Sequence, residues 1–400
     1  MKAPYPGVYV EEITGGTRAI EGVPTSVAAF IGRATQGPRD LDKKASPTSI
    51  ASWAEYERVF GGLDGHATMG HAVRLFFANG GKRALIVRVG KKNGAPITDA
   101  DISSPKLAAR KRGLWALERA QDVNLLCIPP LSQGADGDVG AVTRQAAIAY
   151  CRRRRAMFIV DPLSRWQSVA DVLGPDGIDS ASFGLPRDAN AALYFPFLRI
   201  LQDGTATDVP PSGAVAGLVA RTDETRGVWK APAGLDADLR DVAGPAIKIT
   251  DEENGELNPR AVNCLRQFPG KGMVVWGGRT WLGDISSEWK YVNVRRLALF
   301  IEESVERGTQ WAALEPNNET LWTAIRRDVG DFLQGLFRGG AFAGSRPQDA
   351  YFVKCDRSTM TQADIDQGRL IALIGIAPVK PAEFVILRIS HKTASKDDAP

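Results

Sequence analysis

The side chains able to do chemistry are few and scattered. There are three histidines, His66, His71 and His391. The first two lie more than one helical turn apart with no glutamate between them, so an HExxH zinc site is absent. His391 stands in a polar tail. Cys127, Cys151, Cys264 and Cys355 form no CxxC pair and no zinc pattern. Three of them sit in apolar strand- or helix-like contexts, which predicts buried free thiols rather than disulfides. No GxSxG elbow occurs: Gly184 precedes Leu185, and Ser212-Gly213 lacks the flanking pattern. No phosphate-binding GxxxxGK[ST] loop occurs either, and Pro269-Gly270-Lys271-Gly272 reads as a tight turn. Asp251-Glu252-Glu253 falls in a Gly/Asn-rich loop and Glu302-Glu303 on a helix's polar face, with nothing pairing them for acid–base work. The expectation is no catalytic residue, no metal ligand and no cofactor.

The most conspicuous charge run is Arg152-Arg153-Arg154-Arg155. Two readings are open. The run closes a helix, where cations complement the dipole, or it offers a patch to nucleic acid or to a charged protein neighbour. The balance of 50 Lys+Arg against 46 Asp+Glu, net +4 over 400 residues, argues against a dedicated nucleic-acid binder.

The elements that must position these groups alternate in type. Val27 to Gly32 is a short, continuously apolar run, as expected of a buried strand. Trp53 to Phe60 and Met69 to Ala78 read as helices, and Ala84 to Val89 as a strand. A polar segment from Lys91 to about Pro105 reads as a linker. Val123 to Ile128, a helix over Val139 to Arg155 and Ala156 to Val160 have the spacing of a right-handed βαβ unit in a parallel sheet. Ala192 to Ile200 is a further strand. Pro210-Pro211-Ser212 opens a helix over Gly213 to Arg221, and Val274 to Thr280 is a strand and turn. Val294, Leu297, Ile301 and Val305 define one helix face. Trp322, Ile325, Val329, Phe332 and Leu336 define another. Strands over Ala350 to Lys354, Leu370 to Ile376 and Glu383 to Ile389 close the chain. No secretory signal is expected at the N-terminus. The longest apolar stretch, Leu370 to Val379, is about half the ~20 residues a membrane span needs, so synthesis in the cytoplasm without membrane insertion is expected.

Both ends carry apolar, β-prone segments, although free termini are usually polar and fray. Such strands either complete the chain's own sheet or add to the sheet edge of another subunit.

The ordered motifs identify a family. Tyr5-Pro6-Gly7-Val8-Tyr9-Val10-Glu11-Glu12 followed by Gly22-Val23-Pro24-Thr25-Ser26 resembles the start of contractile-phage tail sheath proteins. So, in order, do Phe76-Phe77-Ala78-Asn79-Gly80-Gly81, Val87-Arg88-Val89, Pro210-Pro211-Ser212-Gly213, Asp223 to Pro232, Leu257-Asn258-Pro259-Arg260, Trp276-Gly277-Gly278-Arg279-Thr280, Tyr291 to Arg296, Phe300-Ile301-Glu302, Glu315-Pro316-Asn317 and Gly340-Ala341-Phe342. With no obvious large outer insertion, the chain resembles the compact sheaths of extracellular contractile injection systems and pyocin-like particles.

What the resemblance implies is a mixed α/β tail-sheath fold. It comprises an N-terminal arm (1–22), an N-terminal part of the inner sheath domain (23–90), a linker or surface segment (91–118), a subtilisin-like α/β middle domain (119–280), a C-terminal sheath domain (281–382) and a C-terminal arm (383–400). The implied function is a structural, non-enzymatic subunit that forms a six-start helical cylinder of stacked hexameric rings around an inner tube. Contraction of that cylinder drives the tube through an envelope. Its partners would be further copies of itself, the tube protein, and baseplate and cap proteins. The particle would be a phage tail or tail-like assembly, assembled in the cytoplasm, with release from the cell left open. Tyr5, Val8, Tyr9, Val10 and Ile13, with Phe384, Val385, Ile386, Leu387 and Ile389, would be the exchanged strands. Arg327, Asp331, Gln334 and Arg338, on one face of a helix from Glu319 to Arg338, would face the tube. The competing reading is a subtilisin-like or other α/β hydrolase, for which no Asp/His/Ser triad is apparent.

Overall fold

A computed structural model describes residues 18–39, 47–63, 67–90, 97–134, 137–283 and 287–383. The expected arm strands, residues 5–13 and 384–389, lie outside the described residues, as do His66 and His391.

The first part of the chain runs β1 (Ala28–Gly32), β2 (Thr48–Ile50), α1 (Trp53–Phe60), α2 (Met69–Ala78), β3 (Ala84–Arg88), α3 (Asp99–Ser103), α4 (Pro105–Ala108), β4 (Leu125–Cys127), α5 (Ala141–Arg153), β5 (Met157–Val160) and α6 (Val169–Leu173). It continues through β6 (Ala191–Phe195), β7 (Leu198–Gln202), β8 (Thr205–Val209), α7 (Ser212–Arg226), β9 (Gly244–Pro245), α8 (Asp251–Leu257), β10 (Val262–Phe268) and β11 (Gly272–Val275). Eight of these strands form one sheet in the order β11-β10-β6-β5-β4-β1-β3-β2. The six inner strands are mutually parallel, and β2 and β11 join antiparallel at the edges.

Parallel sheets must be covered on both faces, and β1 shows how. Its five residues are all buried. Ala29 and Ile31 point into a core shared with α5 and the turn at 113–119, while Ala28 and Phe30 point into a core shared with α2 and α7. The covering helices α2 and α7 cross at close range because of two glycines. A Cβ on Gly213 would stand 1.9 Å from the Ala72 carbonyl oxygen, and one on Gly217 would stand 2.3 Å from that of Phe76.

The βαβ unit predicted from the spacing is present, with β4 and β5 parallel and adjacent. Several expectations need correction. The segments 23–90 and 119–280, expected as separate units, contribute strands to the same sheet. β1 lies between β3 and β4, and each edge of β1 needs a partner. The segment 91–118, expected as a linker, folds from Asp99 onward into α3, α4 and a 3-10 turn that bury Ile102, Leu114, Ala116 and Leu117. The strand expected over Ala192 to Ile200 is two strands. Pro196, which has no N–H to give a ladder, separates β6 from β7, and β7 turns into a three-stranded sheet with β8 and β9. Asp251-Glu252-Glu253 is not a loop but the first turn of α8. Thr250 and Glu253 cap each other's backbone N–H groups there.

The remaining elements are α9 (Val292–Gly308), α10 (Glu319–Arg338), α11 (Pro347–Ala350), β12 (Tyr351–Lys354), α12 (Gln362–Asp366) and β13 (Leu373–Ile376). They gather a third core from Leu297, Ile301, Trp322, Ile325, Val329 and Leu333, with Ile20 and Val228 reaching in from earlier in the chain. The two predicted helix faces are the ones buried. Val305, Phe332 and Leu336 are half-buried at their margins.

Candidate assembly interface

The C-terminal unit carries a sheet of only two strands. β12 and β13 pair antiparallel, Phe352 opposite Gly375 and Lys354 opposite Leu373. Among the described residues neither has a second neighbouring strand. Tyr351, Val353, Ile374 and Ile376 turn toward the third core. On the opposite face Phe352 and Leu373 are each half exposed. A two-stranded ribbon is marginal alone, and an open edge is a template for another strand.

The roots of both chain ends are fastened beside this unit. Val23 N–H donates to Ser304 Oγ at 3.1 Å, and Thr25 Oγ1 donates to Asp223 Oδ2 at 2.6 Å. Arg296 donates to both oxygens of Asp223 at 2.8 and 2.6 Å and to the Thr25 carbonyl at 2.9 Å. This pair is buried, and it ties α9 to α7 and to the entry of β1. At the other end, Arg279 donates to both oxygens of Glu383 at 2.7 and 2.8 Å, and the Tyr291 hydroxyl donates at 3.0 Å. Burial alone would raise the Glu383 pKa. The Arg279 fork, with Tyr291 and Lys290, outweighs that and holds the carboxyl below its ordinary value. Neither anchor was legible in the sequence, since the partners lie 73 and 104 positions apart.

The helix expected to face the tube exists residue for residue as α10. Asn318 caps it, its side chain accepting from the N–H groups of Thr320 and Leu321. Arg327, Asp331 and Arg338 are exposed on one face. Gln334 is not free on that face. It is half-buried, and its Oε1 accepts from the Tyr351 hydroxyl at 2.7 Å, so it braces α10 against β12. Arg327 reaches sideways to the buried Asp328, donating from Nε at 3.1 Å.

The four-arginine run is structural. Arg152 and Arg153 lie in the last turn of α5. Arg152 pairs with Asp188 and Arg153 with Glu118, while Arg154 donates to the carbonyls of Ala120 and Gln121. Arg155 pairs with Glu302, Glu303 and Glu306 on α9. Four arginines thus bind the large sheet to its surroundings.

The residues capable of chemistry are disposed otherwise. All four cysteines are buried free thiols, with burial driving the Cys127 and Cys151 pKa values up. Ser212 Oγ donates to Asp161 Oδ2 at 2.7 Å, so its proton is held by a carboxylate and not by an imidazole. His71 is buried with Nδ1 unpartnered, and burial lowers its pKa, favouring the neutral ring. No group of His, Cys, Asp and Glu side chains among the described residues could hold a metal ion. No described helix is long and apolar enough to cross a membrane.

Comparison with known proteins agrees with this disposition. Residues 140–281 match the phage tail sheath protein central domain, and residues 284–392 match the phage tail sheath C-terminal domain. The tail sheath protein of Enterobacteria phage T4 is 28% identical over 279 residues, which is 69% of this chain and 38% of that protein. The chain therefore spans well under half the length of that curated relative. Among solved structures, the sheath of the extracellular contractile injection system PVC in its contracted state is 30% identical. It covers 98% of this chain and 99% of its own, with a TM-score of 0.75. The contracted helical sheath of the anti-feeding prophage AFP is 29% identical over 98% of this chain and 100% of its own, with a TM-score of 0.76.

Proposed function

The chain belongs to the phage tail sheath family, and from that premise we propose that it is the repeating subunit of a contractile sheath. Copies assemble helically around an inner tube. Contraction of the assembly drives the tube through a target envelope. The role is structural rather than enzymatic. A head-to-tail contact that does not close on itself gives an open helix from one kind of subunit. The N- and C-terminal arms add their strands to the sheet edges of neighbours and hold copies together while the bodies slide. Partners are further copies, the tube protein, and the baseplate and cap proteins at the two ends. The particle is a phage tail or tail-like assembly, built in the cytoplasm.

The single observation that carries this reading is a sheet with only two strands among the described residues, in a chain that matches sheath subunits over almost its whole length. The described roots of the two arms, at Val23 to Thr25 and at Glu383, are anchored, which suits strand donation between copies. The exposed Arg327, Asp331 and Arg338 of α10 are the surface offered to the tube, with Gln334 supporting it from within.

Co-expression with the tube protein and negative-stain microscopy test the reading, and striated or hollow cylinders are expected. Uniformly monomeric protein under all conditions would sink it. Removal of residues 1–14 should abolish extended sheath while leaving the melting of the body unchanged. Undisturbed polymers would refute donation by the N-terminal arm. Arg327→Glu with Arg338→Glu should prevent co-assembly with the tube while sparing copy-to-copy contacts.

A further inference from the structure

We propose that Leu314, on the loop before α10, is an apolar knob that grips the exposed Phe352–Leu373 patch of the next copy of this chain. The inference rests on the sheath reading above and deepens it by naming a contact between bodies.

Leu314 is unfavourable for its own fold on two counts. Its side chain is fully exposed. Its backbone has φ 72, the left-handed region that a side chain bearing Cβ adopts at a cost and that glycine or asparagine adopts readily. The loop around it is firmly held. Glu315 N–H donates to the Ala312 carbonyl at 3.2 Å, Asn317 accepts from Trp322 Nε1 at 2.8 Å, and Asn317 donates to the Arg369 carbonyl at 3.1 Å. A leucine held outward in a strained turn is pre-organised for a partner, because the cost of fixing it is already met in the free chain.

The chain itself displays a matching surface. The Phe352 ring lies across Gly375, where a Cβ would come within 2.1 Å of it, and Leu373 stands next to it on the same sheet face. Lys354 shares that face, its Nζ 5.4 Å from the Phe352 ring. The knob carries an exposed acid, Glu315, and the patch carries an exposed base, Lys354. Apolar shape and charge therefore match between copies. Leu314 is fully exposed and has no seat among the described residues, so the seat is placed on another copy. Knob and patch are different surfaces, so the contact is head-to-tail and builds a ring or an open helix.

The test uses the full chain, with polymerisation followed by light scattering and sedimentation and with each free subunit melted separately. Leu314→Asn should leave the melting temperature unchanged or higher, since asparagine tolerates the turn. It should raise the concentration needed for polymer about tenfold, the loss expected for one buried leucine. Glu315→Lys and Lys354→Glu should each weaken polymerisation, and the double exchange should restore it. Parent-like polymerisation of the Leu314→Asn chain overturns the proposal, as does a lowered melting temperature, which would mean that Leu314 serves its own fold. Failure of the double exchange to restore assembly overturns the patch as the seat. A Leu314→Asn chain that polymerises normally but no longer binds the tube overturns it in favour of the tube as partner. If the parent itself never polymerises, the sheath reading fails and this contact with it. If the parent polymerises and the variants do too, only this contact fails.

Discussion

The large sheet and the small one close off their backbones in opposite ways. In the eight-stranded sheet the inner strands are parallel and covered on both faces, and each edge is managed. β2 is only three residues long. The edge of β11 is covered by the loop at 234–239, which pairs with it through Gly234 to Val275, Leu239 to Met273 and Val275 to Ala237. Short or covered edges are how sheets avoid unwanted partners. The β12–β13 sheet has one covered face, a half-exposed Phe352 and Leu373 on the other, and no further strand among the described residues. One region shortens or covers its edges, while the other has only two strands among the described residues.

Matched truncations test this contrast most severely. Phe158 in β5 and Phe352 in β12 are both mid-strand phenylalanines, 2% and 50% exposed. Phe158→Ala should cost about 3–5 kcal/mol, and Phe352→Ala in the free chain under about 1 kcal/mol, both read from denaturant midpoints. Equal losses would break the comparison. Asp223→Ala should come close behind. It leaves the buried Arg296 uncompensated at the junction of the two regions, at about 3–5 kcal/mol. Calorimetry should show both regions shifted, and an unshifted body would mean that they fold independently.

Glu383→Gln is expected to cost about 1.5–3 kcal/mol, the usual worth of hydrogen bonds to a charged group. Because the folded pKa of Glu383 is lowered, its contribution is present above the ordinary value of 4.5 and is lost as pH falls through the folded value. Melting curves taken at falling pH should converge for parent and variant once the pH passes below the folded value. The last test belongs to the body. Burial pushes the Asp161 carboxyl up to about 7, against hydrogen bonds from Ser212. The folded chain keeps a proton that the unfolded chain gives up, so this group makes stability fall as pH rises between about 4 and 7. Asp161→Asn should remove that fall, and an unchanged pH profile would exclude Asp161 as its source.

Local features were the legible ones. α2 and α10 follow from apolar periodicity and their ends, and the βαβ unit from its spacing. β10 escaped notice because Asn263 interrupts its apolar run. That asparagine is buried, donating to the carbonyls of Leu193 and Arg279 and accepting from Arg279 N–H at 2.7 Å, so a polar residue does a core residue's work. The capped start of α8 was readable from Thr250 and Glu253 but was obscured by neighbouring Gly and Asn. At the candidate interface, the exposed charges of α10 were visible as a helix face. The anchors at Thr25 and Glu383 were not, because each joins segments that only tertiary folding brings together. The position of β1 between β3 and β4 was equally hidden, since strand order leaves no trace in a strand's own residues.

That position of β1 has a mechanical consequence. Tension arriving along residues 18–27 meets the Val23–Ser304 bond, then the Thr25–Asp223–Arg296 cluster and then β1, hydrogen-bonded to a parallel strand on each side. A strand pulled along its own axis between two neighbours is loaded in shear, and all its rungs must yield together. An edge strand peels one rung at a time. Residues 18–27 are thus rooted in a central strand that resists a pull along its own axis.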